Sequence, residues 1–227
     1  FFSSYTRSFK KQVKASLALE RWDGSLRRIP HAIFAGVKLY PPLGFDPWPE
    51  TGEEKRSCMA LYRYCEERRI PITTHCDDGG YRTIPQQEAE LYTDPRRWLP
   101  VLEKYPRLYL NFAHFGEHYR DSFHGKRVWT QEITELMLRY PNIHADVSFN
   151  GCDSEYWNWL EKYINNLDTA TGKVVRERLI FGTDFLINLL KIDSYRAYIH
   201  GFLDSNLDTG LKRSMLTDNP IKFLFDT

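Results

Sequence analysis

Charge imbalance is the first thing this sequence lacks. Lys and Arg number 31 against 30 Asp and Glu, a formal charge of +1. That gives no electrostatic reason to expect a nucleic acid or an anionic membrane as partner. Long apolar runs are also missing: no stretch of about 18 apolar residues exists to span a bilayer, and no signal peptide is recognisable. The four cysteines, Cys58, Cys65, Cys76 and Cys152, form no C-x-x-C pair, so a disulfide framework is not expected and reduced thiols in the cytoplasm are. Neither G-x-G-x-x-G nor G-x-x-x-x-G-K-[ST] occurs, which removes the phosphate-binding loops of the open nucleotide folds. No Gly/Ser linker or short-period repeat divides the chain. The chain also opens Phe1-Phe2 without a methionine, and a start of that kind leads us to expect truncation.

What is present is an alternation. Apolar strands are expected at 32–40, 70–75, 107–114, 142–149 and 178–184, each running into a polar loop. Helices are expected at 53–69, 95–105, 129–140 and 154–166, with Ser154 as a cap, and one or two more close the chain between about 207 and 225. Strand, loop and helix in alternation mean parallel strands joined by crossovers. Nearly continuous apolar strands imply that both faces are covered. Without a phosphate loop, a closed barrel is favoured over an open sheet. A single domain over 1–227 is expected, with aromatics at 15% enriching its core or a pocket.

The chemistry-bearing residues fall at strand ends. Lys38, His75, His114 and Asp184 each stand at or near the last residue of a strand. In a barrel those ends surround one mouth, where the βα loops build the active site. Each residue also has a bland reading: a strand-end histidine is commonly a hydrogen-bonded structural group, Lys38 could reach solvent, and Asp184 could cap a helix. Four such residues on one side of the fold favour the functional reading. Two imidazoles and a carboxylate suit Zn²⁺ and its neighbours. Asp184 is the expected proton carrier, and His114 a ligand or a stabiliser of developing negative charge. The long polar loops offer substrate contacts: Arg82 after His75, and His118, Arg120 and His124 after His114. Ser148 shares a strand face with Asp146 and is expected to line the pocket floor. His144, Trp157 and Trp159 read as packing residues.

These segments carry a family resemblance. Residues 34–41, 70–76, 110–116, 142–148 and 178–185, with the closing Asp218-Asn219-Pro220, resemble the amidohydrolase-related family of the amidohydrolase superfamily, metal-dependent hydrolases of TIM-barrel fold. The resemblance implies an α/β (β/α)8 TIM-like barrel of which the chain carries strands four to eight, within about 32–185, and closing helices at 189–227. It implies that His75 is a metal ligand, that His114 is a ligand or catalytic, and that Asp184 is ligand and proton shuttle. Lys38 takes the place of a lysine that some branches carbamylate and others keep plain. One departure is plain: the family's first strand carries His-x-His, and no such pair occurs here. Because a five-stranded barrel would expose apolar edges, we expect that strand to be missing from this chain and not from the protein. Three functions remain open. The first is hydrolysis of an amide, ester or lactone at a divalent metal, zinc being the expected ion. The second is decarboxylation of an aromatic or unsaturated acid, and the third a non-catalytic barrel relic. A small-molecule substrate is the expected partner, and homo-oligomer formation is left open.

Overall fold

Why these residues alternate as they do is visible in the computed structural model, which describes residues 35–118 and 127–225. The strands are β1 (Val37–Leu39), β2 (Ile72–Thr74), β3 (Leu110–Phe112), β4 (Ile143–Asp146) and β5 (Leu179–Ile180). They pair in the order β1-β2-β3-β4-β5, every pair parallel. An order without reversal means each crossover steps to the next strand in the same direction. An open doubly wound sheet would reverse at a switch point. The chain is thus a run of consecutive strand–helix units of a TIM-like barrel, with five strands among the described residues.

The helices are α1 (Gly52–Arg68), α2 (Gln86–Thr93), α3 (Leu99–Lys104), α4 (Val128–Arg139), α5 (Glu155–Asn166), α6 (Thr169–Arg176), α7 (Tyr195–Leu203), α8 (Thr209–Arg213) and α9 (Asn219–Phe225). Strand residues alternate between two environments. Ile72, Leu110, Phe112, Ile143, Ala145 and Leu179 are fully buried in the main core. Helical side chains join that core, among them Tyr62, Trp98, Leu102, Ile133 and Leu160. The other face is polar, with Lys38, Thr73, Asn111 and His144 aligned across β1 to β4. Both faces are covered, as expected, since Asn111 and His144 are buried, but the inner one is lined by polar side chains.

The ladders are also shorter than the apolar runs. β3 stops at Phe112 because His114 and Phe115 adopt φ of 63° and 50°. β5 stops at Ile180 because Phe181 donates its N–H to the Met215 carbonyl instead. The 95–105 helix divides into a 3-10 turn, Pro95–Trp98, and α3, and Asp94 caps the turn through Arg96 N at 2.8 Å. Ser154 does not cap α5, since its backbone is already helical. Asp153 does the work, accepting from Glu155 N at 3.0 Å. Helices α2 and α6 were not among the expected ones. Residues 1–34, which include the start of the first expected strand, lie outside the described residues. Among those described, no helix is long and apolar enough to cross a membrane.

Candidate metal centre

Two loops, one after β2 and one after β3, build the site. His75 follows β2 directly and is fixed by donating its N–H to the Leu39 carbonyl at 3.0 Å. Its ring lies buried under Tyr40, with centroids 4.2 Å apart and planes 19° from parallel. Two residues on, Asp77 accepts from Gly79 N at 2.7 Å. It also pairs as a parallel bridge with Glu117, and Asp78 N donates to the Glu117 carbonyl at 3.3 Å. One rung thus joins the two loops.

His114 enters from the second loop on strained backbone. Two successive non-glycine residues in the left-handed region cost roughly 1–2 kcal/mol each. Buried hydrogen bonds offset this: Asn150 Nδ2 donates to the His114 carbonyl at 2.8 Å, and Thr130 Oγ1 to that of Phe115 at 2.9 Å. His114 N donates to Asp146 Oδ1 at 3.3 Å. Gly116 follows with φ 69°, where a Cβ would stand 2.9 Å from Trp129 Cβ and 2.7 Å from Ile133 Cδ1. No other residue fits there.

The imidazole of His114 is oriented by β4. Its Nδ1 lies 2.9 Å from the Ser148 carbonyl, which can only accept. Nδ1 therefore carries a proton, and Nε2 faces Asp77 Oδ2 at 3.5 Å. Ser148 Oγ, 3.2 Å from the same Nδ1, donates to Asp146. Asp146 also accepts from Asn111 Nδ2 at 2.6 Å and Ser148 N at 3.0 Å. Burial pushes the Asp146 carboxyl up, but the charges of His114 and Lys38 and the bonds from Ser148 and Asn111 hold it below the usual carboxylate range.

His75 Nε2 stands 3.3 Å from Asp77 Oδ1, off the line that a hydrogen bond needs, and it is buried without a hydrogen-bond partner. Burial raises the Asp77 carboxyl; contact with His75, the charges of His114 and His75, and the Gly79 N–H outweigh it and bring the pKa below normal. Asp77 is thus an anion wedged between two imidazoles. One ligand atom from each of His75, Asp77 and His114 lies within 4.8 Å of the others, and all three residues are buried. The two imidazoles meet different oxygens of the same carboxylate, His75 at Oδ1 and His114 at Oδ2. Two imidazole nitrogens around a buried carboxylate are a donor set that fits a divalent cation.

The other expected residues are placed as follows. Lys38 is exposed on β1. Asp184 is half-buried beyond β5, at φ 54°, and is not part of the three-residue group, although its charge reaches Tyr40. Arg82 is exposed beside a narrow crevice that it shares with Asp77 and Asp78. His118 packs edge-on to Trp129 at 4.6 Å, its Nδ1 3.8 Å from Asp78 Oδ2. Ser148 is buried against His114 and Asp146, and also lines a cavity of about 220 Å³ with Thr73, Asn111 and Asp184. Arg120 and His124 lie outside the described residues. His144 packs on Phe223 at 5.1 Å, and burial lowers its pKa to about 4. Trp157 is buried, whereas Trp159 is more than packing: it carries the Arg127 guanidinium 3.8 Å over its ring and lines a cavity of about 540 Å³ with Phe149, Tyr156 and Lys191. The residue that sequence reading missed is Asp77. Its signal was the His-x-Asp spacing directly after a strand.

With this geometry in view, comparison with known proteins decides the family. The amidohydrolase family profile matches residues 23–225. The chain belongs to the amidohydrolase family. A search of curated proteins gives no match. Among solved structures, this amidohydrolase resembles a Pseudomonas putida protein assigned as a 2-pyrone-4,6-dicarboxylic acid hydrolase (19% identity, 88% of this chain and 67% of that one, TM-score 0.58). It also resembles a zinc-bound amidohydrolase from Burkholderia multivorans (14% identity, 88% and 68%, TM-score 0.54). A third is the 5-carboxyvanillate decarboxylase of Sphingomonas paucimobilis (11% identity, 87% and 61%, TM-score 0.52). The chain spans half to about two thirds of the length of the first structures it matches.

Proposed function

We propose that His75, Asp77 and His114 hold a divalent cation and that the protein hydrolyses an amide, ester or lactone beside it. The observation that carries this reading is the buried His75 Nε2, which lacks a well-aligned hydrogen bond while facing the Asp77 carboxylate, with a second imidazole, His114, on the same carboxylate. A bound divalent ion supplies Lewis acidity, polarising a carbonyl and bringing the pKa of water to about 7. Zinc suits this donor set, and the Burkholderia multivorans relative carries it. The chain's own residues then have distinct tasks. Asp77 contributes negative charge, and His114, held by the Ser148 carbonyl, keeps one tautomer. Asp184 is the proposed base, taking a proton from water and giving it to the leaving group. Lys38, on the neighbouring strand, is a further proposed metal residue, which could bind an ion only as a carbamate or a neutral amine. Arg82, His118 and Arg120 are proposed substrate contacts, since long βα loops of barrels commonly hold substrate.

Decarboxylation of an aromatic acid is the second reading. The 540 Å³ cavity favours it through the rings of Phe149, Tyr156 and Trp159, although its cations Arg127 and Lys191 share the lining with Glu117, Asp153 and Glu155 and Arg127 is paired with Glu117; the Sphingomonas paucimobilis relative favours it as well.

Elemental analysis of the full-length protein after growth with metals, alongside the His75→Ala variant, tests the centre. We expect bound metal in the parent and loss in the variant; equal, negligible content in both would refute it. Proton release from lactones and esters, measured against CO₂ release from aromatic carboxylates, separates the two chemistries.

A further inference from the structure

Tyr40 plays no part in the chemistry above, yet it covers one whole face of His75. We propose that Tyr40 is a positioning residue: its ring sets the plane of His75 so that Nε2 points at Asp77 and His114. This rests on the metal-centre reading.

The stack is close to parallel, at 4.2 Å and 19°. On a different side His75 meets His114 edge-on, with ring centroids 5.0 Å apart and planes at 73°. A ring held by a parallel neighbour and a perpendicular one cannot swing about its Cβ–Cγ bond without losing one contact. That restraint matters because Nε2, although 3.3 Å from Asp77 Oδ1, makes no well-aligned hydrogen bond to hold the ring plane. Ligand histidines are ordinarily oriented by a hydrogen bond from the second ring nitrogen. His114 follows that pattern through Ser148. Tyr40 is the restraint seen on His75.

The geometry of Gly80 is consistent with this. The chain passes so close that a Cβ there would stand 2.5 Å from the Tyr40 hydroxyl and 3.5 Å from His75 Nε2. The φ of 78° adds a second reason for glycine. A side chain at 80 would push Tyr40 off the imidazole. The clash is with the hydroxyl oxygen alone, so removing that oxygen should restore the room.

The test uses the full chain and metal alone. Zn²⁺ affinity is read by competition with a chromophoric chelator, coordination geometry by the visible spectrum of the Co²⁺-loaded protein, and ring position, without metal, by the His75 side-chain proton resonances. Tyr40→Phe keeps the stack and should bind Zn²⁺ within about threefold of the parent. Tyr40→Leu should bind roughly 10–100-fold more weakly, with an altered Co²⁺ spectrum and His75 resonances freed of the ring-current shift. Gly80→Ala should weaken binding, and Tyr40→Phe in the same chain should recover the part of the loss that comes from the hydroxyl contact, leaving the part that comes from the positive φ. Leu at position 40 with parental affinity and spectrum would overturn the proposal. A parent that binds no metal while Tyr40→Leu still moves the His75 resonances would sink the metal centre and leave the positioning role standing. Unmoved resonances would sink the role itself.

Discussion

Replacing Glu132 with Gln should make the protein's stability less sensitive to a rise in pH from about 4.5 to 7. Glu132 lies on α4, with its side chain only 16% exposed, and meets the Arg96 Nε at 3.1 Å. Its other oxygen is buried without a partner. Burial first, then the charge of Asp94, raises its pKa from 4.5 to about 7; Arg96 opposes this and Glu135 adds to it. Between those two values the unfolded chain has lost the proton and the folded chain keeps it. The folded state then binds more protons, so stability falls as pH rises from about 4.5 to 7 and changes no further above. A shift of about 2.5 units corresponds to an upper limit of roughly 3 kcal/mol. Arg96 is 61% exposed, and solvent screening around the pair brings the expected effect to about 1–2 kcal/mol. Gln keeps the shape and the acceptor for Arg96 but has no charge to lose. Urea unfolding at pH 5, 6, 7 and 8 should show parent and variant converging at the acid end. By pH 8 the variant should be ahead by about 1–2 kcal/mol, a shift of some 2–8 °C in Tm for a chain of this size. A stability difference that stays constant across the series would refute the reasoning.

Three further outcomes are expected. Asp77→Asn preserves shape but removes the charge between the imidazoles, and should weaken Zn²⁺ binding by more than the ~10–100-fold of an outer-shell change; isothermal titration reads it. Ser148→Ala removes the hydroxyl between Asp146 and His114 but keeps the carbonyl that fixes His114, so it should lower metal affinity less than Asp146→Asn, which removes a charge that several donors share. Trp98→Ala empties a fully buried site against Tyr62 and Phe112 and should cost about 3–5 kcal/mol of stability by urea titration, with the Zn²⁺ affinity of the surviving folded protein unchanged.

The alternation of apolar runs and helical periodicities was enough to read a parallel barrel, because the outward strand residues Ile72, Leu110, Phe112 and Ile143 do bury against helices. Periodicity could not show where ladders end. His114 and Phe115 lie in apolar-looking sequence but turn left-handed because Asn150, Thr130 and Asp146 hold them from 15 to 36 positions away. Helix α2 was hidden by the polar sequence Gln86–Thr93, of which only Ala89 and Thr93 are buried. In the candidate site the two histidines were legible from strand ends. Asp77 was not, since its position depends on the bridge to Glu117, a contact between loops 40 residues apart. The inner polar row of Thr73, Asn111 and His144 needed the register, which sequence alone does not supply.

That bridge has a consequence for how an ion would be received. The donors of the candidate centre ride on two separate crossovers, and loops left independent would have to be brought into alignment by the ion at the expense of its affinity. The rung between Asp77 and Glu117, with the Asp78 amide closing on the same carbonyl, makes both crossovers one stiff rim. The three side chains of the candidate centre are thereby brought together by folding itself, ahead of any ion they would bind.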